Sequence, residues 1–148
     1  MSEGGVTGVG ELEGVLENLR ALSGEVTTAA VLSEGGELEA STLASGVDRE
    51  RYAAMLAALA GIARRTAREN GGSGFTQARI KEEGGYVLLV GLKGGATLAA
   101  TTGPDARVGL VLYDMRNARK EIERTLGYGD GETTDSGSET GGPGERKQ

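Results

Sequence analysis

Hydrophobic and polar positions along the chain form a regular succession of helical and strand-like patterns. Apolar side chains recur at steps of three and four residues near the start, which is typical of an amphipathic helix. This first stripe consists of Leu12, Val15, Leu16, Leu19 and Leu22. Two β-rich segments follow, residues 26–33 and 38–42, and a turn with two glycines joins them. The pattern predicts a β-hairpin after the helix.

A second helix is predicted over residues 47–70, and its two sides are both low in polarity. The predicted core stripe is Tyr52, Met55, Leu56, Leu59, Ile62, Ala63 and Thr66, and the opposite side carries Ala54, Ala57, Ala58 and Gly61. A glycine inside a helix costs about 1 kcal/mol relative to alanine, so we expect another helix to approach closely at Gly61. This interpretation makes the small residues a dimer interface. The alternative is that the alanines are simply good helix formers at exposed sites.

Three strands are predicted after a glycine-rich break, over residues 75–82, 86–92 and 96–101, with Gly-Gly turns between them. The second is apolar on both faces, so we expect it and the third near the centre of the sheet. The first is polar on both sides and resembles an edge strand. We expect it to pair with its copy in a second subunit through Phe75, Gln77, Arg79 and Lys81. The alternative is that Arg79 and Lys81 protect a solvated edge.

The last predicted element covers residues 108–126 and fits a helix better than a strand. One helical stripe contains Val108, Val111, Leu112, Met115, Ala118, Ile122 and Leu126. Leu110 and Tyr113 fall outside this stripe, and the pattern leaves open whether they are exposed or covered. The order of elements is therefore α-β-β-α-β-β-β-α, a single domain of the α+β class over residues 11–126.

Both ends of the chain differ from this domain in composition. Residues 1–10 are rich in glycine, and residues 127–148 consist mainly of Gly, Ser, Thr and acidic residues. Such segments bury too little apolar surface to offset their chain entropy, so we expect a disordered N-terminal segment and a disordered acidic tail. The N-terminal glycines lack the P-loop spacing, and the acidic residues of the tail lack the calcium-loop pattern.

Composition and charge restrict the chemistry. The 148 residues include no Cys and no His, and the net charge is −6 without a dense basic cluster. We therefore expect no catalytic residues, no cofactor, no metal site and no nucleic-acid partner. The sequence shows neither a signal peptide nor an apolar run long enough to span a membrane, and we expect a cytoplasmic protein.

The ordered whole resembles the roadblock/dynein light chain family. The features that carry the resemblance are the leucine helix, the hairpin TAAVLSEGGELEAST, the long second helix, the strand pair GYVLLVGLKGGATLAATT and the closing helix. The resemblance implies a five-stranded, mostly antiparallel sheet with one long helix on one face and two on the other. It also implies a homodimer in which the second helices lie side by side and the third strands pair.

For function, the resemblance implies a regulator or scaffold that binds a small Ras-like GTPase. Arg64, Arg65 and Arg68 are the candidate partner-binding residues. They can act as an arginine finger, as rim contacts to an acidic patch, or simply as cations at the helix C-terminus. A purely structural adaptor with no effect on nucleotide state is the main alternative. A ligand-sensing module is disfavoured, because the core residues are small and aliphatic.

Overall fold

The structure, a computed structural model, describes residues 2–128, and side chains from residue 8 onward. The helices are α1 (Ser2–Ser23), α2 (Val47–Glu69) and α3 (Val108–Thr125). The strands are β1 (Val26–Leu32), β2 (Leu38–Ser41), β3 (Gln77–Glu82), β4 (Gly85–Gly91) and β5 (Thr97–Thr102). This order confirms the predicted α+β fold. Most of the predicted tail, residues 129–148, lies outside the described residues.

The five strands form one antiparallel sheet in the order β2-β1-β5-β4-β3. Ala99 of β5 pairs with Ala30 of β1 on one side and with Leu89 of β4 on the other. The apolar segments of β4 and β5 therefore lie inside the sheet, as predicted, while β2 and β3 form its two edges.

The two faces of the sheet carry cores of different size. Helices α1 and α3 pack together over one face and enclose the larger cluster, which includes Leu16, Leu88, Leu98, Val111 and Met115. Helix α2 lies alone on the other face. Its cluster of buried residues is limited to Ala30, Leu32, Leu56, Val87, Leu89 and Ala99.

Helix α1 differs from the prediction at both ends. It begins at Ser2, so the helix passes through residues 2–10, where we expected disorder. The segment contains no proline, and each glycine costs only about 1 kcal/mol, so a helix held by its buried leucines can extend toward the N-terminus. At the other end Leu22 is 75% exposed and is not part of the core stripe. The helix ends at Ser23, and Gly24 (φ 71°) turns the chain away.

Helix α2 is rotated relative to the predicted stripe. Met55 and Ile62 were assigned to the core, but they are 41% and 62% exposed, and Thr66 is exposed as well. The buried residues of α2 are Leu56 and Ala60.

Small side chains on both the helix and the sheet beneath it explain this rotation. The sheet presents Ala30 and Ala99 beneath α2, and a Cβ placed on Gly36 would lie 3.2 Å from the Cβ of Ala57. Close approach therefore suits alanine positions of the helix, and larger neighbours turn outward. Ala57, which was predicted on the outer side, packs partly against this inner cluster.

A hydroxyl network fixes α2 on the sheet. Thr28 Oγ1 donates a hydrogen bond of 2.7 Å to the hydroxyl of Tyr52, and Thr28 and Thr101 are also hydrogen-bonded to each other. Burial raises the pKa of Tyr52, and the hydrogen bonds to the threonines oppose part of this effect. The neutral phenol is thus the form that the folded state favours.

This raised pKa predicts a loss of stability in alkaline solution. The contribution of Tyr52 is complete below the phenol's unfolded pKa of about 10 and is lost as the pH rises through the folded value. We expect Tyr52→Phe to lower the free energy of unfolding at pH 8 by about 1 kcal/mol, through loss of the hydrogen bond. The decline of stability above pH 10 should then be shallower than in the wild type, as measured by urea unfolding. Tyr113→Phe, at an exposed tyrosine, is the control. Equal alkaline slopes for wild type and Tyr52→Phe would contradict this assignment.

Candidate interaction surfaces

The outward side of α2 is an apolar surface that nothing in the described chain covers. We call this surface, formed by Ala54, Met55, Ala58, Gly61 and Ile62, the outer α2 surface. A Cβ on Gly61 would meet no atom within 4 Å. The free-energy cost of a glycine inside a helix is therefore not offset here by close packing within residues 2–128.

Two of the predicted interface alanines lie on this surface and one does not. Ala54 and Ala58 are exposed, whereas Ala57 faces the sheet. Met55 and Ile62 also lie on this surface, although the periodicity predicted both of them in the core stripe of the helix. The sequence did contain a signal for Ile62: it lies four residues after Ala58, and residues four apart lie on the same side of a helix.

Strand β3 leaves one edge of the sheet open. Among residues 2–128 it pairs with β4 alone. The exposed residues Gln77, Arg79 and Lys81 occupy alternate positions of the strand and therefore share one face, the face on which α3 lies. On this face the Gln77 Oε1 atom accepts a hydrogen bond from Arg116. Lys81 lies 5.0 Å from the centre of the Tyr86 ring. The backbone edge itself remains accessible.

Residues on the other side of β3 are apolar. Ala78 packs partly against the inner cluster, and Ile80 is 40% exposed. Phe75, which was predicted to open the strand, precedes β3 and is half-buried in the same cluster. Its side chain therefore stabilises the domain as well as bordering the edge.

An apolar groove of about 340 Å³ separates α2 from β3. Its lining residues are Leu59, Ile62, Ala63, Thr66, Ala67, Asn70, Phe75, Gln77, Ala78, Ile80 and Leu89. Ile62 on the helix and Ile80 on the strand both border it. The outer α2 surface, the groove and the β3 edge thus form one strip of uncovered apolar and backbone groups.

A second depression, of about 480 Å³, lies at the C-terminal end of α2. We call it the arginine cleft, and its lining residues are Glu34, Arg64, Arg68, Ser73, Gly74, Phe75, Gly91, Leu92, Gly94, Gly95 and Ala96. The Nη1 atom of Arg64 is buried and has no hydrogen-bond acceptor among the described residues. Arg65 is exposed and does not line the cleft. The three arginines predicted as one group therefore divide between two surfaces.

Glu123 holds one wall of the arginine cleft against α3. Glu123 is 5% exposed, and its Oε2 atom accepts a hydrogen bond of 3.0 Å from the backbone N–H of Lys93. The same oxygen lies 3.7 Å from Nε of Arg119. This contact fastens the β4–β5 turn to the last helix.

The end of α3 is fixed at the same place by a Schellman motif. Gly127 has φ 94°, and its N–H donates to the carbonyl of Arg124 at 3.0 Å. The N–H of Tyr128 donates to the carbonyl of Glu123 at 2.8 Å. The Tyr128 ring then covers Gly94, since a Cβ there would lie 2.4 Å from the ring's Cζ atom. Residue 128 is thus held beside the cleft.

Helix α3 also carries two large apolar residues that are exposed. Leu110 and Tyr113, which the sequence left undecided, are 51% and 55% exposed.

Within residues 2–128, no three carboxylates come together in a way that suits a metal ion. None of the described helices is long and apolar enough to cross a bilayer.

A five-stranded antiparallel sheet with paired helices on one face and a lone helix on the other is the fold of roadblock-type domains. Residues 12–102 match the Roadblock/LC7 domain. An uncharacterised protein of Methanocaldococcus jannaschii is 34% identical over 112 residues, which cover 76% of this chain and 93% of that protein. The chain belongs to the Roadblock/LC7 family.

Solved structures of similar fold include a Roadblock/LC7 domain from Streptomyces avermitilis and MglB from Myxococcus xanthus. The first is 32% identical, with a TM-score of 0.60, and the match covers 75% of this chain and 97% of that one. The second has a TM-score of 0.71 at 14% identity, and the match covers 80% of this chain and 89% of that one. The resemblance inferred from the sequence is confirmed.

The role of Glu123 can be tested through stability. We expect Glu123→Ala to lower the free energy of unfolding by about 1–3 kcal/mol, because it removes a buried, charge-assisted hydrogen bond. Glu123→Gln keeps an oxygen acceptor for Lys93 N–H and should cost less. Urea unfolding of the two variants measures the difference. Equal losses for both would show that the hydrogen bond to the turn contributes little.

Proposed function

We propose that this protein is a non-catalytic homodimeric regulator or scaffold that binds a small Ras-like GTPase and modulates its nucleotide cycle or localisation. The observation that carries the proposal is the uncovered strip formed by the outer α2 surface, the groove and the β3 edge. Membership of the Roadblock/LC7 family and the similar fold of MglB, a GTPase regulator, support it.

The strip has the features that a second copy of the chain would satisfy. Two α2 helices can approach closely at Gly61, where no Cβ keeps them apart. Met55, Ile62 and Ile80 would then lose their exposure to water, at a gain of about 25 cal/mol per Å² of apolar surface buried. Pairing of two β3 edges would provide partners for the open backbone groups. One MglB structure is itself described as having a tetrameric arrangement.

The paired helices would form a platform for the GTPase. Arg65 and Arg68 are exposed near the C-terminal end of α2 and can contact an acidic patch at the rim of such an interface. Arg64 is less suited to reach into a partner's nucleotide site, because it is half-buried in the cleft. A regulator of this kind needs no nucleophile of its own, since it acts by positioning the groups of the GTPase.

Substitution at Gly61 tests the dimer. We expect Gly61→Leu to convert a species of about twice the 15.1 kDa chain mass into a monomer in light scattering at micromolar concentration. The monomer fold should survive, because a Cβ at this position meets no atom within 4 Å and leucine favours a helix over glycine.

Gly109→Leu is the matched control for this experiment. Gly109 lies in α3, and a Cβ there also meets nothing within 4 Å. It should leave the mass unchanged. A wild-type monomer, or a Gly61→Leu protein of unchanged mass, would refute the proposed interface.

GTP hydrolysis by the partner distinguishes a regulator from an adaptor. With a small Ras-like GTPase that binds this protein, we expect single-turnover hydrolysis or nucleotide exchange to change when the protein is added. Binding with both rates unchanged would favour the structural adaptor. Arg65→Gln should weaken binding a few-fold if the residue is a rim contact. A loss of about 10³-fold or more in hydrolysis rate at saturation would instead identify an arginine finger.

A further inference from the structure

The arginine cleft contains a cation whose hydrogen-bonding capacity is not used. Nη1 of Arg64 is buried without an acceptor among the described residues, and Arg68 lines the same cleft. A buried donor without a partner is costly, and a carboxylate is the acceptor that a guanidinium group binds best. The cleft therefore favours an anionic occupant that brings its own oxygen atoms.

One carboxylate already borders the cleft but does not neutralise it. The side chain of Glu34 lies over Gly95, where an added Cβ would be 2.9 Å from the Glu34 Cδ atom. Among the ion pairs of the described residues, none joins Glu34 to Arg64 or Arg68. Among the lining residues of the cleft, two guanidinium groups stand against one carboxylate, which leaves an excess of positive charge.

The chain itself continues from the rim of this cleft. Tyr128 packs on Gly94, which is a lining residue, and the Schellman motif at Gly127 fixes this position. The next eleven residues, 129–139, contain Asp130, Glu132, Asp135 and Glu139 but no Lys or Arg. The excess of positive charge in the cleft thus lies beside the start of an acidic segment.

Chain length sets how far these carboxylates can lie from the rim of the cleft. An extended chain spans about 3.3–3.6 Å per residue, so Asp130 can lie about 7 Å and Glu132 about 14 Å from Tyr128. A tethered ligand of this kind has an effective concentration in the millimolar range, so weak contacts suffice to populate a docked state. The interaction needs neither a second subunit nor a GTPase.

We propose that the acidic segment 129–139 docks into the arginine cleft of its own chain, with its carboxylates as the missing acceptors for Arg64 and Arg68. The contact is electrostatic and therefore weakens as salt concentration rises. Each charge-assisted hydrogen bond lost changes the docking equilibrium by about tenfold.

A spin label in the tail tests the docking in the full chain. The protein contains no cysteine, so Ser136→Cys provides one labelling position. Isotope-labelled, spin-labelled protein is diluted tenfold into unlabelled wild type, so that paramagnetic relaxation within a single chain dominates in the NMR spectrum. We expect strong relaxation enhancement at the backbone amides of Ser73, Gly74 and Gly95, and weaker enhancement at Lys120 on the exposed side of α3. The enhancement at the cleft should decrease in high NaCl.

Variants that change the charge of the cleft then test whether the relaxation enhancement depends on the arginines. The double variant Arg64→Gln/Arg68→Gln should lower the docking equilibrium at least about tenfold, so that the cleft amides are affected no more than Lys120. Arg51→Gln removes one arginine charge at the other end of α2, about 20 Å from Arg64 and about 25 Å from Arg68 at 1.5 Å per residue, and should change nothing. Glu34→Gln should strengthen the enhancement, because it removes the repelling carboxylate.

Two outcomes would overturn this proposal. One is an enhancement at the cleft that is equal in the wild type and the Arg64→Gln/Arg68→Gln variant. The other is an enhancement that spreads evenly over the cleft and α3 and does not respond to salt, as expected for a tail without a binding site. Neither outcome bears on the proposed dimer or on the proposed GTPase partner, because docking of the tail requires neither of them.

Discussion

The way α2 rests on the sheet is the constraint on which the other features of this protein depend. The sheet offers Ala30 and Ala99 beneath the helix, so α2 approaches closely and buries only Leu56 and Ala60. A 23-residue helix held by so narrow a contact cannot cover all of its own apolar side chains. Met55 and Ile62 turn outward, and the groove beside β3 stays open as a result. The exposed strip is thus a consequence of small residues in the core rather than an independent feature of the surface.

The opposite face of the sheet explains how the fold remains stable although the α2 side leaves apolar residues exposed. Helices α1 and α3 enclose Leu16, Leu88 and Met115, and this half of the domain contains most of the buried apolar residues. Apolar burial is the dominant favourable term in folding. One face can therefore maintain the fold while the other remains available for a partner. The hydroxyl network of Tyr52 and Thr28 then fixes the position of α2 where hydrophobic packing alone is limited.

Periodicity was sufficient to predict the order and type of the helices and strands, but not the start of α1 or the orientation of α2. In α3 the apolar residues are large and widely spaced, so their stripe identified a helix and its buried side correctly. In α2 alanines occur all around the helix, and the inward side depends on the residues of the sheet beneath it, which are far away in sequence. Arg64 and Arg65 are divided because successive residues of a helix point about 100° apart. The arginine cleft was beyond sequence reasoning, because its lining residues come from α2, from the segment before β3 and from the β4–β5 turn, which are far apart in sequence.

The C-terminal end of α2 is where the two proposals meet. Arg68 lines the cleft that we assign to the acidic tail, and it is also one of the two exposed arginines that we propose as rim contacts to a partner. A guanidinium group that is hydrogen-bonded to a tail carboxylate is not free to contact an acidic partner. The tail and such a partner would thus compete for the same charge, and by linkage each would weaken the binding of the other by the same factor. The tethered tail has the advantage of effective concentration, whereas the partner has the advantage of a larger interface. Salt weakens both electrostatic contacts but leaves the apolar part of a partner interface in place, so the balance shifts toward the partner as ionic strength rises.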